Sequence, residues 1–540
     1  MAKTSRTRGR MAGFACSLMA IGLAALVSGS AYGTVSRGGQ YFGFTFFPGN
    51  LVVSRSVYDN NPNNVTVGQT LPPNCTSGCV SAKNNGTYPQ VWNNNLVDGS
   101  FGITSQIFLD QITPFGVRIG SIEVPSTPDY GVVTSFSSKS EVALNLSVDG
   151  EYLTFMGYVA PLDALDVSNS NTPGEVDSTN PVSESVYRAV VQFARDGEFQ
   201  FTATNAYSGN NGRAAIFNEA ADVFYTAGNA GNGSNPQPNG IILGAGAQIM
   251  TPESIPLVSQ DPGTPTPYAS FNVTELGDKA DKIGKDDNFR GLTVFNNVVY
   301  YTKGSGSNGI NTVYFVDTTG SACPKGVGLP ATGAALPTSP LSYTLGTLQT
   351  SGLPSNMCVL SGFPTSLAKA TTPAPRYPFG IWFANATTLY VADEGDGTFA
   401  DAGTSTTAGL QKWIFNSTTK SWQLAYVLQN GLGLGVPYTV PGYPTGINTA
   451  TGLPWSPATD GLRNITGVAR MNGTATIYGI TSTVSGNGDQ GADPNRLVAI
   501  TDNLAATTLP ASESFQTLRS AGFGEVLRGV SFTPGSDPKF

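Results

Sequence analysis

The chain has 540 residues, 40% of them hydrophobic and only 12% charged, and it contains no histidine. That absence excludes Ser-His-Asp and Cys-His nucleophile systems, HExxH zinc sites and His-ligated copper or iron, so any chemistry must run on carboxylates, Tyr, Lys, Arg or a bound hard cation. With 28 basic against 36 acidic residues, and no basic block beyond the N-terminus, the chain also lacks the footprint that a nucleic-acid partner needs.

At the N-terminus Lys3, Arg6, Arg8 and Arg10 precede the apolar run Met11 to Val27, and Ala31-Tyr32-Gly33 supplies small residues of the kind found at a cleavage site. Residues 1–33 are read as a secretory signal peptide and residues 34–540 as the mature domain. The leader holds four basic and no acidic residues, leaving a mature chain with 24 basic against 36 acidic ones. No later apolar stretch approaches membrane-spanning length, so no span is expected after cleavage. The expected location is outside the cell, with periplasm and cell surface as the variants. Of the cysteines beyond the leader, Cys75 and Cys79 lie together in NCTSGC, and Cys323 and Cys358 flank a Pro-, Thr- and Ser-rich excursion. Two disulfides between these neighbours are expected, with a four-cysteine zinc site as the rival.

Past the leader, short apolar runs rich in Val, Ile, Thr, Tyr and Phe predict an all-β protein. The runs recur as a unit: a strand, a tight turn, a second strand ending near Tyr or Phe, then a long Gly/Asn/Ser loop. Complete copies are EVALNLSVDGEYLTFMGY from Glu141, RAAIFNEAADVFYTAGN from Arg213, RGLTVFNNVVYYTKGSG from Arg290, FGIWFANATTLYVADEG from Phe379 and RNITGVARMNGTATIYGITS from Arg463. A sixth copy is split. NLVVSRSVY (Asn50 to Tyr58) is a second strand without a first, and EVLRGVSFTP (Glu525 to Pro534) is a first strand without a second. Joined, they close a ring of sheets, which predicts a single β-propeller of six blades, with seven as the alternative. Two separate β-sandwiches are the rival, and they leave the complementary termini unexplained. Outer strands are expected in QIFLDQIT, VRIGSIEVP, YRAVVQFARDGEFQFTAT, GIILGAGAQIM, NTVYFVDT, GLQKWIFN, WQLAYVLQN and RLVAITD, and residues 321–376 are read as a loop insertion between blades.

Aligning the units places Arg213, Arg290, Arg376, Arg463 and Arg528 at or just before a first strand, with Lys139 near the remaining one. Three copies carry an acid three residues earlier, in DNFRGLT, DGLRNIT and EVLRGVS. First strands are innermost in a propeller, so these arginines should ring one channel mouth, where guanidinium forks can grip a carboxylate, phosphate or sulfate. The competing reading is that each pairs with an acid of a neighbouring blade. Acidic loops are expected on the same face. In LYVADEGDGTFADAG, Asp393, Glu394 and Asp396 are candidate Ca2+ ligands, although the spacing lacks the EF-hand pattern, and a solvated turn or an acid/base pair are the other readings. Trp92 and Trp455 sit in polar loop contexts suited to stacking on a sugar, whereas Trp382, Trp413 and Trp422 fall in strand patterns and should be core.

The pieces LYVADEGDG followed by GLQKWIF, and LRNITGVARMNGTATIYGITS followed by NRLVAIT, resemble a broad group of uncharacterised secreted β-propeller proteins, distantly like YVTN and NHL propellers. That resemblance implies fold and secretion and carries over no catalytic residues. The function expected is a secreted binding or interaction module whose partner is an extracellular glycan, an anionic small molecule or a protein. A secreted hydrolase or lyase acting on a carbohydrate, lactone or phosphoester through carboxylates or loop-bound Ca2+ is the alternative, and a structural envelope or matrix protein is a third.

Overall fold

Each sequence unit becomes the two central strands of an antiparallel sheet, and six such sheets form a β-propeller. The computed structural model describes residues 45–59, 63–76, 79–82, 102–127, 130–174, 180–229, 246–252, 288–305, 309–339, 356–370, 376–449, 451–487 and 489–536, with a few single positions and two-residue strands between them. Residues 1–33, read as the leader, and Trp92 lie outside the described residues.

Blade 1 is the split one. Its innermost strand is Glu525–Phe532, followed outward by Leu51–Val57, Thr104–Ile112 and Arg118–Glu123. Seven residues of Leu51–Val57 pair antiparallel with the C-terminal strand, from Leu51 opposite Phe532 to Val57 opposite Glu525. Both edges of the ring are thereby sealed, which leaves no inner strand exposed for association. Blade 2 begins with Asn145–Leu146 and Tyr152–Tyr158, blade 3 with Gly212–Asn218 and Val223–Gly228, and blade 4 with Phe289–Phe295 and Val298–Lys303. Blade 5 begins with Pro378–Asn385 and Thr388–Asp393, and blade 6 with Ala458–Ala469 and Thr474–Val484. Each outer segment expected from sequence contains a strand, Ala247–Met250 in the case of GIILGAGAQIM, whose residues 240–245 lie outside the described residues, and Met357–Leu360, Gln516–Ser520 and the two-residue Thr134–Ser135, Ala269–Ser270 and Val327–Gly328 add others. The first of these comes from residues 321–376: Met357–Leu360 is a blade 4 outer strand, and the Cys323–Cys358 bridge ties it to the preceding loop. Cys75 and Cys79 are also bonded, with Cα atoms 5.8 Å apart as in the other bridge.

Hairpin chemistry fits the local sequence. In blade 4 the two-residue turn Asn296-Asn297 has φ of 48° and 60°, between the paired residues Phe295 and Val298. Asn tolerates the left-handed region better than other residues with a side chain, and such turns match strand twist. The central strands are buried on both faces, as in Val223–Gly228, while outermost strands such as Ser421–Leu428 mix buried and exposed positions. Apolar contacts therefore run between blades. Trp382, half-buried, stacks on Tyr390, and Trp413 and Trp422 belong to a cluster with Phe383 and Leu389. Trp455 is buried too, at 7% exposure, so the surface stacking role expected from its polar neighbours is not available to it.

Two buried ion networks stitch the blades near the closure. Asp110 of blade 1 accepts from Arg55 at 2.9 Å, Arg519 of blade 6 at 3.1 Å and Ser121 at 2.6 Å. Lys412 of blade 5 meets Asp502 of blade 6 at 2.8 Å, with Tyr390 and Tyr426 donating to the same carboxylate. Burial is tolerable because each charge is paired and hydrogen-bonded.

The innermost strands are held by a recurring hydroxyl on the second strand. In blade 4 the Gly291 N–H donates to Thr302 Oγ1 at 2.8 Å, and that hydroxyl donates to the Phe379 carbonyl of blade 5. In blade 1 the Gly529 N–H donates to Ser54 Oγ at 2.8 Å, and Ser54 donates to the Val142 carbonyl that leads into blade 2. Thr154 of blade 2 likewise donates to the Ala215 carbonyl of blade 3. The glycines are required by proximity: a Cβ on Gly291 would lie 1.9 Å from the Phe379 carbonyl oxygen, and one on Gly529 2.5 Å from the Leu144 nitrogen. Replacing Thr302 with Val keeps the shape and strands one buried N–H and one buried C=O. The expected cost is about 1–3 kcal/mol in denaturant unfolding, against well under 1 kcal/mol for Thr→Val at the exposed Thr387.

Candidate functional site: a cationic channel mouth

The bulged register of the innermost strands aims the arginines. In blade 3 the pairing jumps from Gly212 to Ala214, skipping Arg213; in blade 4 it jumps from Phe289 to Leu292 over Arg290-Gly291. In blade 6 it jumps from Leu462 to Ile465 over Arg463-Asn464, and in blade 1 Arg528 falls between the paired residues Leu527 and Gly529. A bulge adds one unpaired residue and turns its side chain out of the regular alternation. The extra residue is an arginine in four blades. In blade 5 the jump from Pro378 to Ile381 places Phe379-Gly380 at the equivalent point.

Four of the five expected arginines, Arg213, Arg290, Arg463 and Arg528, are thus brought together. Burial first, and then Arg290, push the Arg213 guanidinium well down. Arg290 is lowered by burial and by Arg463, with Glu394 opposing. Arg528 is lowered to about 10, chiefly by burial, with Glu141 raising it and Arg463 lowering it. Lys139, half-buried, joins them: burial and then Arg463 push it down, while Glu394 and Asp489 push it up. The cluster comprises five cations and the carboxylates Glu141, Glu394 and Asp489.

Partners are unevenly shared. Arg463 Nε donates to Glu394 at 3.2 Å, and Arg290 Nη2 stands 3.9 Å from the other Glu394 oxygen. Glu394 is accordingly held below the usual carboxylate range by Arg290 and Arg463 despite its burial. This contact is the inter-blade tie that the competing reading anticipated, although its acid, Glu394, is not one of the three that stand three residues before an arginine. Asp460 instead accepts the Gly397 N–H at 2.8 Å, and Glu525 pairs with Arg55 at 2.8 Å. Arg213 and Arg528 have only neutral partners. Arg213 donates to the Asn288 side chain and the Phe289 carbonyl, and Arg528 to Ser56 Oγ at 3.1 Å and the Ser135 carbonyl at 3.2 Å. Among the described residues Arg213 Nε and Arg528 Nη1 are buried without a hydrogen-bond partner.

Glu141, which sequence reasoning did not single out, faces the same mouth. It accepts from Thr134, the Ser135 N–H, Asn211 and the Tyr158 hydroxyl. The next residue, Val142, has φ of 59°, a strained conformation for a β-branched residue that persists because the surroundings enforce it. Its one sequence signal was its position at the start of the blade 2 unit.

Arg376 stands apart. It lies before the blade 5 bulge, where Phe379 takes the equivalent position, and its guanidinium sits over the Trp413 ring at 5.3 Å. The three candidate Ca2+ ligands also diverge. Asp393 accepts from the Tyr377 and Gly395 N–H groups and from Gln411, Glu394 turns to the arginines, and Asp396 is exposed and accepts the Thr398 N–H. Among the described residues the one acid or thiol group with ligand atoms within 4.8 Å of one another is Asp317, Cys323 and Cys358, whose sulfurs are bonded to each other. The donor set of Asp393, Glu394 and Asp396 therefore does not fit a Ca2+ cage, which needs six to eight converging oxygens.

No protein-family model matches the chain, and no curated protein matches it. Among solved structures, the periplasmic gluconolactonase of Pseudomonas aeruginosa aligns over 90% of this chain and 98% of its own at 10% identity and a TM-score of 0.35. A protein from Lactobacillus plantarum aligns over 78% and 81% at 8% identity and a TM-score of 0.30. Acylaminoacyl peptidase of Pyrococcus horikoshii aligns over 77% and 41% at 8% identity and a TM-score of 0.27.

Three buried carboxyls at the rim respond to pH. Burial pushes Asp393, Asp460 and Asp493 each up to about 7. Because their folded values lie above the unfolded value near 4, the stability they contribute is complete below pH ~4 and is lost as pH rises through ~7. Raising the pH from 5 to 8 should lower the melting temperature. Asp493→Asn, which retains a hydrogen-bonding group for Tyr443 and Ser485, should flatten that slope in differential scanning calorimetry.

Proposed function

We propose that the protein is a binding propeller of the cell exterior whose channel mouth captures an oxyanion, borne by a small molecule or by the acidic end of an extracellular glycan or protein. The observation that carries this reading is the positive charge of Arg213, Arg290, Arg463, Arg528 and the half-buried Lys139 against Glu141, Glu394 and Asp489, with Asp460 and Asp493 pushed by burial up to about 7, and with N–H groups of Arg213 and Arg528 unpartnered among the described residues. A buried cationic donor left unsatisfied costs on the order of 1–3 kcal/mol, and an anion seated among the forks would recover that and raise the depressed guanidinium ionisation. The two disulfides suit an oxidising compartment, as does the likeness of the LYVADEGDG and LRNITGVARM regions to secreted propellers.

One observation favours a second reading, a histidine-free hydrolase or lyase. Asp460 is poised near 7, sits beside Arg463 and has one oxygen without a partner, the state of a carboxyl able to give and take a proton. The experiment is isothermal titration of the full chain with citrate, sulfate and polygalacturonate at low and high salt. Salt-sensitive binding to at least one of them, weakened tenfold or more in Arg213→Gln and Arg528→Gln, is expected. No binding at millimolar concentration would overturn the reading. Turnover of a uronide, lactone or phosphoester that Asp460→Asn abolishes would replace it with the enzymatic one.

A further inference from the structure

Arg376, the arginine that the ring leaves out, lines a cavity of about 500 Å3 between blades 4 and 5. Its surroundings are those of a built site. Thr406, Thr407, Ser366 and Asn311 present hydroxyl and amide groups, and Phe363 and Trp413 form the apolar wall. Trp413 is sandwiched: Phe363 stacks on it at 4.0 Å and the guanidinium covers it at 5.3 Å. The indole is locked in turn, because its N–H donates to Gln411 at 3.1 Å, and Gln411 donates to Asp393 and to the Thr407 carbonyl at 3.0 Å each. The first carboxylate of the acidic stretch thus serves as a positioning group for this wall.

The guanidinium itself is unclaimed. Among the described residues Arg376 donates no hydrogen bond and forms no ion pair, and its Nη1 is buried without a partner. Burial lowers its ionisation, with Asp393 opposing. A planar fork with five donors, fixed by stacking and bordered by hydroxyls, matches a bidentate oxyanion on a hydroxylated skeleton. Since Arg376 is the single cation lining the cavity among the described residues, one negative charge is balanced there, which selects a carboxylate over a dianionic phosphate or sulfate.

We propose that this cavity is a second ligand site, separate from the channel mouth, that binds a small hydroxylated monocarboxylate through Arg376. The site stands on its own residues and does not depend on the reading of the mouth.

The test uses the full chain with sodium glucuronate as probe, glucose as its uncharged counterpart and sulfate as the dianion, followed by titration calorimetry and tryptophan fluorescence. Glucuronate should bind with a fluorescence change from Trp413, glucose should not, and Arg376→Gln should weaken binding tenfold or more. Arg376→Lys, which keeps the charge and loses the fork, should weaken it less, and the Trp413 fluorescence change on adding glucuronate should persist in Arg528→Gln, whatever the mouth itself binds. The proposal is overturned if glucuronate fails to bind, if Arg376→Gln binds it as well as the parent does, or if Arg376-dependent binding favours sulfate. Glucuronate binding lost in Arg528→Gln but kept in Arg376→Gln would assign the ligand to the mouth and likewise overturn the second site. Since Arg376 makes no hydrogen bond among the described residues, Arg376→Gln and Arg376→Lys should keep the parent melting temperature, so lost binding is not confused with lost fold.

Discussion

The contact between neighbouring innermost strands is what the rest of the molecule is arranged around. Six strands converging on one axis must approach closely, and glycines or small side chains at the bulge are what allow it, as at Gly291 against Phe379 and Gly380 against Arg463. Where blade 6 carries Asn464 instead of glycine, the side chain takes over the backbone's role and accepts the Val530 N–H at 2.6 Å. The hydroxyls of Ser54, Thr154 and Thr302 then satisfy groups that the bulge removes from the regular ladder. A bulge left unsatisfied at the axis would expose polar backbone to a dry interior, so clamp and bulge depend on each other.

The same bulge makes the mouth. An unpaired residue at a strand that lines the channel has its side chain released from the sheet faces, and arginine is the residue long enough to cross toward its neighbour. Structural and ligand-binding roles are therefore divided among chemically identical side chains. Arg463 is committed to Glu394, which also draws Arg290 and so joins blades 4, 5 and 6. Arg213 and Arg528 are held by carbonyls, hydroxyls and an amide, which fix direction and leave charge uncompensated. Arg188, fully buried, shows the opposite extreme: it donates to the carbonyls of Val186, Ser170 and Asn210 and has no capacity left for a ligand.

Buried carboxyls complete this electrostatic arrangement. Asp393, Asp460 and Asp493 surround the mouth, yet burial keeps them partly protonated near neutrality, so they subtract less from the positive charge than a count of acids suggests. The acidic loops that looked like a negative face are in part interior hydrogen-bond acceptors. Asp393 positions Gln411 and the blade 5 entry, and Asp493 gathers Tyr443, Ser485 and Asn487.

The sequence by itself determined the all-β class, the repeat and the ring closure through NLVVSRSVY and EVLRGVSFTP, because strand periodicity and turn chemistry are local and a missing partner strand is visible in the unit that lacks it. It also determined the cysteine pairing, and it brought four of the five arginines to one register position, since a residue that recurs at one place in the unit recurs at one place in a ring. Only the tertiary structure decided which carboxylate each arginine meets, because Glu394 reaches Arg463 and Arg290 across blade boundaries that have no signature in the chain. It alone separated Arg376 from the ring, because the blade 5 bulge takes Phe379, the residue that opens that unit, and leaves Arg376 three residues earlier beside Trp413. It also turned LYVADEGDGTFADAG from one acidic motif into three fates: a buried positioning carboxyl, a channel partner and a solvated turn. Burial and direction of side chains are set by what the fold brings alongside, and that is not written in the spacing of four acids.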